Sequence, residues 1–160
     1  MYRKEEIYTE KLDRRFIYNI IINLRKIIAS YLRNVYSLER LVGNNANQTL
    51  CIDESLFTLT EGAQTWVFGI LNVNTDEIRL EIVPYRSRNT LKTIIQKHVG
   101  TGNTIYSYSW KGYNFLNRAD SGYTHNMVNH NHGIFGLTSK IEGVWGEIKT
   151  LIKKMYSCIH

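Results

Sequence analysis

Residues 140–156 constrain the fold more than any other stretch of this chain. Ile141, Val144, Trp145, Ile148, Leu151, Ile152 and Met155 recur at the three- and four-residue intervals of an α-helix, so they form one continuous apolar stripe. A helix with a single stripe of this kind must bury it against another layer, and the preceding segments supply a sheet.

Residues 48–57 (QTLCIDESLF), 65–73 (TWVFGILNV) and 77–85 (EIRLEIVPY) are apolar and rich in β-branched or aromatic residues, with polar TLTEGAQ and NTDE between them. Three consecutive strands on short links predict an antiparallel meander. RNTLKTIIQKHV, residues 88–99, reads as a helix with Leu91, Ile94, Ile95 and His98 or Val99 on one face, closed by GTGN. TIYSY then reads as a fourth strand, Tyr113 to Arg118 as a short helix, YTHNMVNH as a fifth strand, and Lys140 to Tyr156 as the final helix. Upstream, Phe16, Ile17, Ile20, Ile21, Leu24, Ile27, Ile28, Tyr31, Leu32 and Val35 have helical spacing, and VGNNANQ, residues 42–48, ends that pattern. The expectation is a helical lead-in over 1–47, one long helix or two shorter ones, and an α/β domain over 48–160. A five-stranded mixed sheet that begins with three antiparallel strands and carries helices on its faces is the ribonuclease H-like arrangement. In it, metal-binding acids come from the first strand, the tip of the fourth strand and the last helix.

Composition narrows the partners. The net charge is +6, and the excess lies at the two ends: nine Lys/Arg against five Asp/Glu in residues 1–50, seven against seven in 51–138, and four against two in 139–160. Such clustering fits a polyanion, although a solvated surface would carry it equally well. No apolar run approaches the roughly 20 residues of a membrane span, and MYRKEEIYTEKLDRR is charged throughout, unlike a secretory signal. An intracellular protein is expected, nuclear if eukaryotic. Cys51 and Cys158 form no CxxC pair and read as reduced small hydrophobes.

The first strand contains Asp53 in CIDES, and the last helix opens with Glu142 in KIEGVW. Lys149 and Lys153 follow Glu142 along one side of that helix, which suits metal coordination followed by phosphate contacts, or an ordinary solvated flank.

CIDESLF, TWVFGI, RLEIVPYRSRNTLKTIIQKHV, TIYSYSWKGYNFL, GYTHNMVNH and SKIEGVW, in that order and spacing, resemble the catalytic domain of the Merlin superfamily of DDE transposases and of related ISXO-like bacterial insertion-sequence transposases. NLRKIIASYL resembles the helical lead-in of the same proteins. The resemblance implies DNA transposition chemistry, with two divalent metals, Mg²⁺ or Mn²⁺, held by Asp, Asp and Glu. Two cations about 3.5–4 Å apart can stabilise the entering and the leaving oxygen of an in-line displacement, and hard cations take carboxylate oxygens and water.

Here the pattern departs from the family. Where the fourth strand of such proteins ends in a motif like TDGW, this chain has Ser107, Tyr108, Ser109 and Trp110, so Tyr108 stands at the position of the central aspartate. A phenol with a reference pKa of about 10 supplies neither that charge nor a strong ligand. Asp120 lies beyond the short helix, and Glu54 should face away from Asp53 because side chains alternate along a strand. GIFGLTSK is shorter than the usual loop and has Leu137 and Ser139 where the family pattern looks like His and Asn. The residues ahead of the first strand carry no zinc ribbon or helix-turn-helix motif. His125, His130 and His132 read better as locally satisfied strand-end residues than as metal ligands.

The resemblance therefore implies Asp53 and Glu142 as the remaining metal-binding and catalytic acids, with Lys111, Trp110, Lys149 and Lys153 as DNA contacts. Trp110 and Tyr113 could stack on bases or pack the short helix on the sheet. The expected function is a transposase-derived DNA-binding domain with impaired catalysis and a possible homo-oligomer. A non-enzymatic interaction scaffold that keeps only the fold is the alternative.

Overall fold

The computed structural model describes residues 14–58, 62–128 and 136–157. They form two compact units that divide after Leu38. The first contains helix α1 (Arg14–Leu38), one uninterrupted helix of 25 residues.

The second is built on a five-stranded sheet of β1 (Thr49–Thr58), β2 (Gln64–Asn72), β3 (Ile78–Val83), β4 (Thr104–Tyr108) and β5 (Thr124–Val128), in the order β3-β2-β1-β4-β5. The first three strands make the expected antiparallel meander, while β4 runs parallel to β1 and β5 parallel to β4. Helix α2 (Arg88–His98) connects β3 to β4, and α3 (Thr138–Ser157) follows β5.

β1 lies at the centre, and its alternation sorts residues to two faces. Leu50 and Ile52 join Leu91 and Ile95 of α2 in one core; Cys51 and Phe57 join Ile141 and Trp145 of α3 in the other. Burial on both faces explains why this strand opens on the continuous apolar run LCI. Leu91, Ile95 and Ile141 are wholly inaccessible, each contributing about 1.5–3 kcal/mol of transfer free energy.

Local chemistry fixes the ends of α2. Ser87 caps its first turn, accepting from Thr90 N at 3.2 Å. After it, Val99 bridges to Val42. Asn103, buried just beyond, accepts from Gln48 N and donates to the carbonyls of Gly43 and Gly100, which ties the 42–48 loop to the start of β4.

Two elements differ slightly from expectation. Lys111–Asn117 is a 3-10 helix. Trp110 lies directly over Gly112, where a side chain would collide with the indole, and Tyr113 N donates to Trp110 O at 3.0 Å, so the segment winds in the tighter pattern. α3 starts at Thr138 rather than Lys140.

Candidate active site

Strand register brings the site together. β1 and β4 pair in parallel through Thr49↔Thr104, Leu50↔Ile105 and Cys51↔Tyr106. Two residues further on, at the same height, lie Asp53 and Tyr108. Alternation puts both on the face that Cys51 and Tyr106 share with α3. The chain leaves β1 toward β2 and leaves β4 toward β5, so the strands' carboxyl ends open a crevice where the topology reverses, the place where open α/β sheets bind ligands.

α3 closes this crevice. Gly69, the β2 residue opposite Asp53, leaves room for Trp145: a Cβ there would sit 2.7 Å from the indole Cζ2. The ring fills that space, its Nε1–H donates to Asp53 Oδ2 at 3.0 Å, and Phe57 packs edge-on at 6.0 Å. Glu142, exposed one residue after buried Ile141, comes close enough for its charge to act on Asp53. The Tyr108 hydroxyl hydrogen-bonds to Glu142 and to Thr138. Asp53, Tyr108 and Glu142 thus share one corner of the fold.

The electrostatics follow from burial. Desolvation raises the Asp53 carboxyl above its ordinary 3.8, and the Glu142 charge adds to it; the Trp145 hydrogen bond and the Lys149 charge oppose the shift. Tyr108 is pushed up to about 12 by burial, its hydrogen bond to Glu142 and the two nearby carboxylates, against the Thr138 hydroxyl. Its phenol therefore keeps its proton at neutral pH and donates it to Glu142.

A raised carboxyl pKa means that the folded state holds the proton more tightly than the unfolded chain. Its contribution favours folding below the ordinary aspartate value and is lost as pH rises through the folded value, above which ionised Asp53 is a net cost. Asp53→Asn, which can still accept from Trp145, should therefore stabilise the protein at pH 7–8. A gain of about 1 kcal/mol would raise Tm by roughly 2–4 °C. The gain should vanish near pH 3. A pH-independent difference in thermal melts would refute the burial argument.

The donor set does not fit a two-cation centre. It offers two carboxylates and a protonated phenol already bonded to one of them, and no group of three His, Cys, Asp or Glu able to hold a metal occurs among the described residues. Glu54, as alternation requires, faces the other side of the sheet, beside Tyr113 and the Arg86 charge. Asp120 is held by Arg118 at 3.0 Å on an exposed turn.

Residues 41–160 match the ISXO2-like transposase domain. The chain belongs to this family. No curated protein matches it. Among solved structures, a chain of the simian T-cell lymphotropic virus intasome in complex with PP2A regulatory subunit B56 gamma aligns with a TM-score of 0.56 at 12% identity, over 74% of this chain. This chain spans only 43% of that relative's length. The HTLV-2 integrase catalytic core domain in complex with magnesium aligns with a TM-score of 0.46 at 13% identity, over 71% of this chain and 74% of that one. At such identities the likeness is one of fold, carried by the intasome chain: this transposase domain has the ribonuclease H-like architecture.

The basic and aromatic candidates of this transposase domain are placed unevenly. Lys149 is exposed beside the site, its Nζ 5.5 Å from the Phe57 ring and its charge felt by Asp53. Lys153, one turn further along α3, and Lys111, after the β4 tip, are exposed. Trp110 is half-buried, edge-on to buried Tyr113 at 5.3 Å, and the Arg86 guanidinium lies 4.0 Å from the Trp66 ring centre and 5.6 Å from that of Trp110. The edge-on contact with Tyr113 gives Trp110 a packing role whatever else it contacts.

His125 bridges Ser107 Oγ at 2.8 Å and Asn117 Oδ1 at 2.7 Å, the local satisfaction expected of it. His130, His132 and Cys158 lie outside the described residues, and Cys51 is buried, its thiol pushed up to about 12 by desolvation. No described helix is long and apolar enough to cross a membrane.

Sequence reasoning missed one surface. Arg88, Lys92 and Arg118 line a groove of about 440 Å³ between α2 and the 3-10 helix. The four-residue spacing of Arg88 and Lys92 was a usable signal; that Arg118 joins them was not.

Proposed function

We propose that this domain is a transposase-derived DNA-binding domain of Merlin-type ancestry whose strand-cleaving chemistry is impaired. The observation that carries the reading is Tyr108: it stands with Asp53 and Glu142 at the corner where the family resemblance implies a third acid, and its hydroxyl occupies Glu142. Asp53 and Glu142 remain the residues through which Mg²⁺ or Mn²⁺ would bind, weakly and as a single ion. Lys149, Lys153 and Lys111 supply the exposed cations for a phosphate backbone next to that site. Trp110, half-buried beside them, would add its remaining accessible surface.

The test is a pair of measurements on the wild-type chain. Fluorescence anisotropy with a labelled duplex should show affinity that falls with salt, at a log–log slope of about −0.9 per phosphate neutralised. Plasmid nicking in Mg²⁺ or Mn²⁺ should stay at background. Robust metal-dependent nicking would defeat the impairment. Salt-insensitive or absent DNA binding would defeat the DNA reading and leave the fold as an interaction scaffold.

A further inference from the structure

α1 is an exposed amphipathic helix that the site above does not explain. Its apolar side chains are open to solvent, including Leu24 at 53%, Ile27 at 65%, Ile28 at 56% and Tyr31 at 66%. A helix of this kind draws most of its stability from packing an apolar face, so one left exposed implies a missing partner.

The spacing of that face identifies the partner. Ile17, Leu24, Tyr31 and Leu38 repeat every seven residues, and Ile21, Ile28 and Val35 repeat every seven residues between them. This is a heptad seam from Ile17 to Leu38, with β-branched Ile21, Ile28 and Val35 at a positions and Ile17, Leu24, Tyr31 and Leu38 at d; Arg14, the first residue of the helix, takes the a position ahead of it, and the seam suits two parallel strands. A strict seven-residue seam matches another helix with the same seam, whereas an irregular protein surface demands no such period.

The charges agree. α1 contains no acidic residue, so two copies can meet only if their cations stay out of the seam between Ile17 and Leu38. Arg15, Lys26 and Arg33 fall on the opposite side of the helix, roughly 160–180° from Ile17 at 100° per residue. The one flanking cation, Arg25 at an e position, would face Ile20 at the partner's g position in a parallel pair, and Ile27 would face the partner's Leu32. Like charges oppose each other only at Arg14, the first residue of the helix, ahead of the seam from Ile17 to Leu38.

We propose that α1 is a self-association surface, pairing in parallel with α1 of a second copy of this chain as a coiled coil. The proposal stands on α1 alone and is independent of the DNA reading.

The experiment uses the full chain. Sedimentation equilibrium over a concentration series should give twice the mass of one chain for the wild type, and the mass of a single chain for Leu24→Asp with Ile28→Asp. Lys26→Glu, on the far side, should leave the dimer intact. The melting of the sheet domain, followed by near-ultraviolet circular dichroism, should persist in all three. Ile21→Cys, made with Cys158→Ser, should cross-link to itself under mild oxidation, because parallel register sets the two Ile21 positions side by side.

A wild-type monomer at every concentration would overturn the proposal. So would a dimer that survives the paired aspartates, or one whose Ile21→Cys chains do not cross-link. A monomer that floats with phosphatidylserine vesicles would assign the same face to a membrane surface instead and would also overturn it.

Discussion

Tyr108→Asp should tighten Mn²⁺ binding by one to two orders of magnitude. The substitution removes a protonated phenol that donates to Glu142 and puts a third carboxylate beside Asp53. A unit charge about 4 Å from a cation is worth about 4 kcal/mol per cation charge at an effective dielectric constant of 20. Desolvation offsets much of that, leaving roughly 1.4–2.8 kcal/mol, or ten- to a hundredfold.

Thermal melts report the change directly, because a ligand that binds only the folded state raises stability by RT ln(1 + [L]/Kd). The wild type should shift little with added Mn²⁺. The variant should begin less stable in chelator, since three carboxylates now repel one another, and should gain Tm with metal. Nicking should appear weakly and strand transfer not at all, because metal affinity needs only the local triad whereas transposition also needs end recognition. Equal metal responses from the two proteins would show that Tyr108 is not the missing ligand, and no gain in the variant would show that Glu142 lies out of register for coordination.

Lys149→Glu combined with Lys153→Glu should weaken duplex binding at least roughly tenfold at moderate salt and flatten the salt slope by about 1–2. The two lysines lie on one side of α3, and Lys149 stands close enough to Asp53 for its charge to stabilise the carboxylate. Reversing both replaces attraction to phosphate with repulsion. The loss should be about equal for unrelated sequences, since phosphate contacts position a duplex without reading its bases. An unchanged isotherm would move the DNA surface elsewhere, and the groove of Arg88, Lys92 and Arg118 would be the next place to reverse charges.

Much of this domain was legible in its residues because the relevant physics is local. Period-two alternation in CIDES sends Asp53 and Glu54 to opposite faces, and the structure has Trp145 bonded to the first and Tyr113 beside the second. The stripe forecast a helix on the sheet, and Ile141, Trp145, Ile148 and Ile152 pack there with Glu142 at the edge of that face, whereas Leu151 of the same stripe is exposed. Tyr108 at the end of TIYSY could be located by counting, and the strand ends there.

Other features depend on pairing between distant segments, for which alternation and helical periodicity carry no information. A strand's pattern states which face is buried but not which neighbour it chooses or at what register. That β4 pairs in parallel with β1 through Cys51↔Tyr106, and so sets Tyr108 level with Asp53, is a tertiary result. The same holds for Gly69, whose missing side chain makes room for an indole from 76 residues further along the chain, as Trp145 shows. It holds also for Asn103, which joins Gln48 and Gly43 to the start of β4 across 55 and 60 residues. The sequence by itself determined the elements, their faces and the candidate acids, because backbone periodicity and side-chain polarity act over a few residues. Only the tertiary structure decided that a phenol, two carboxylates and a tryptophan would share one crevice, because that requires the long-range register of β1, β4 and α3.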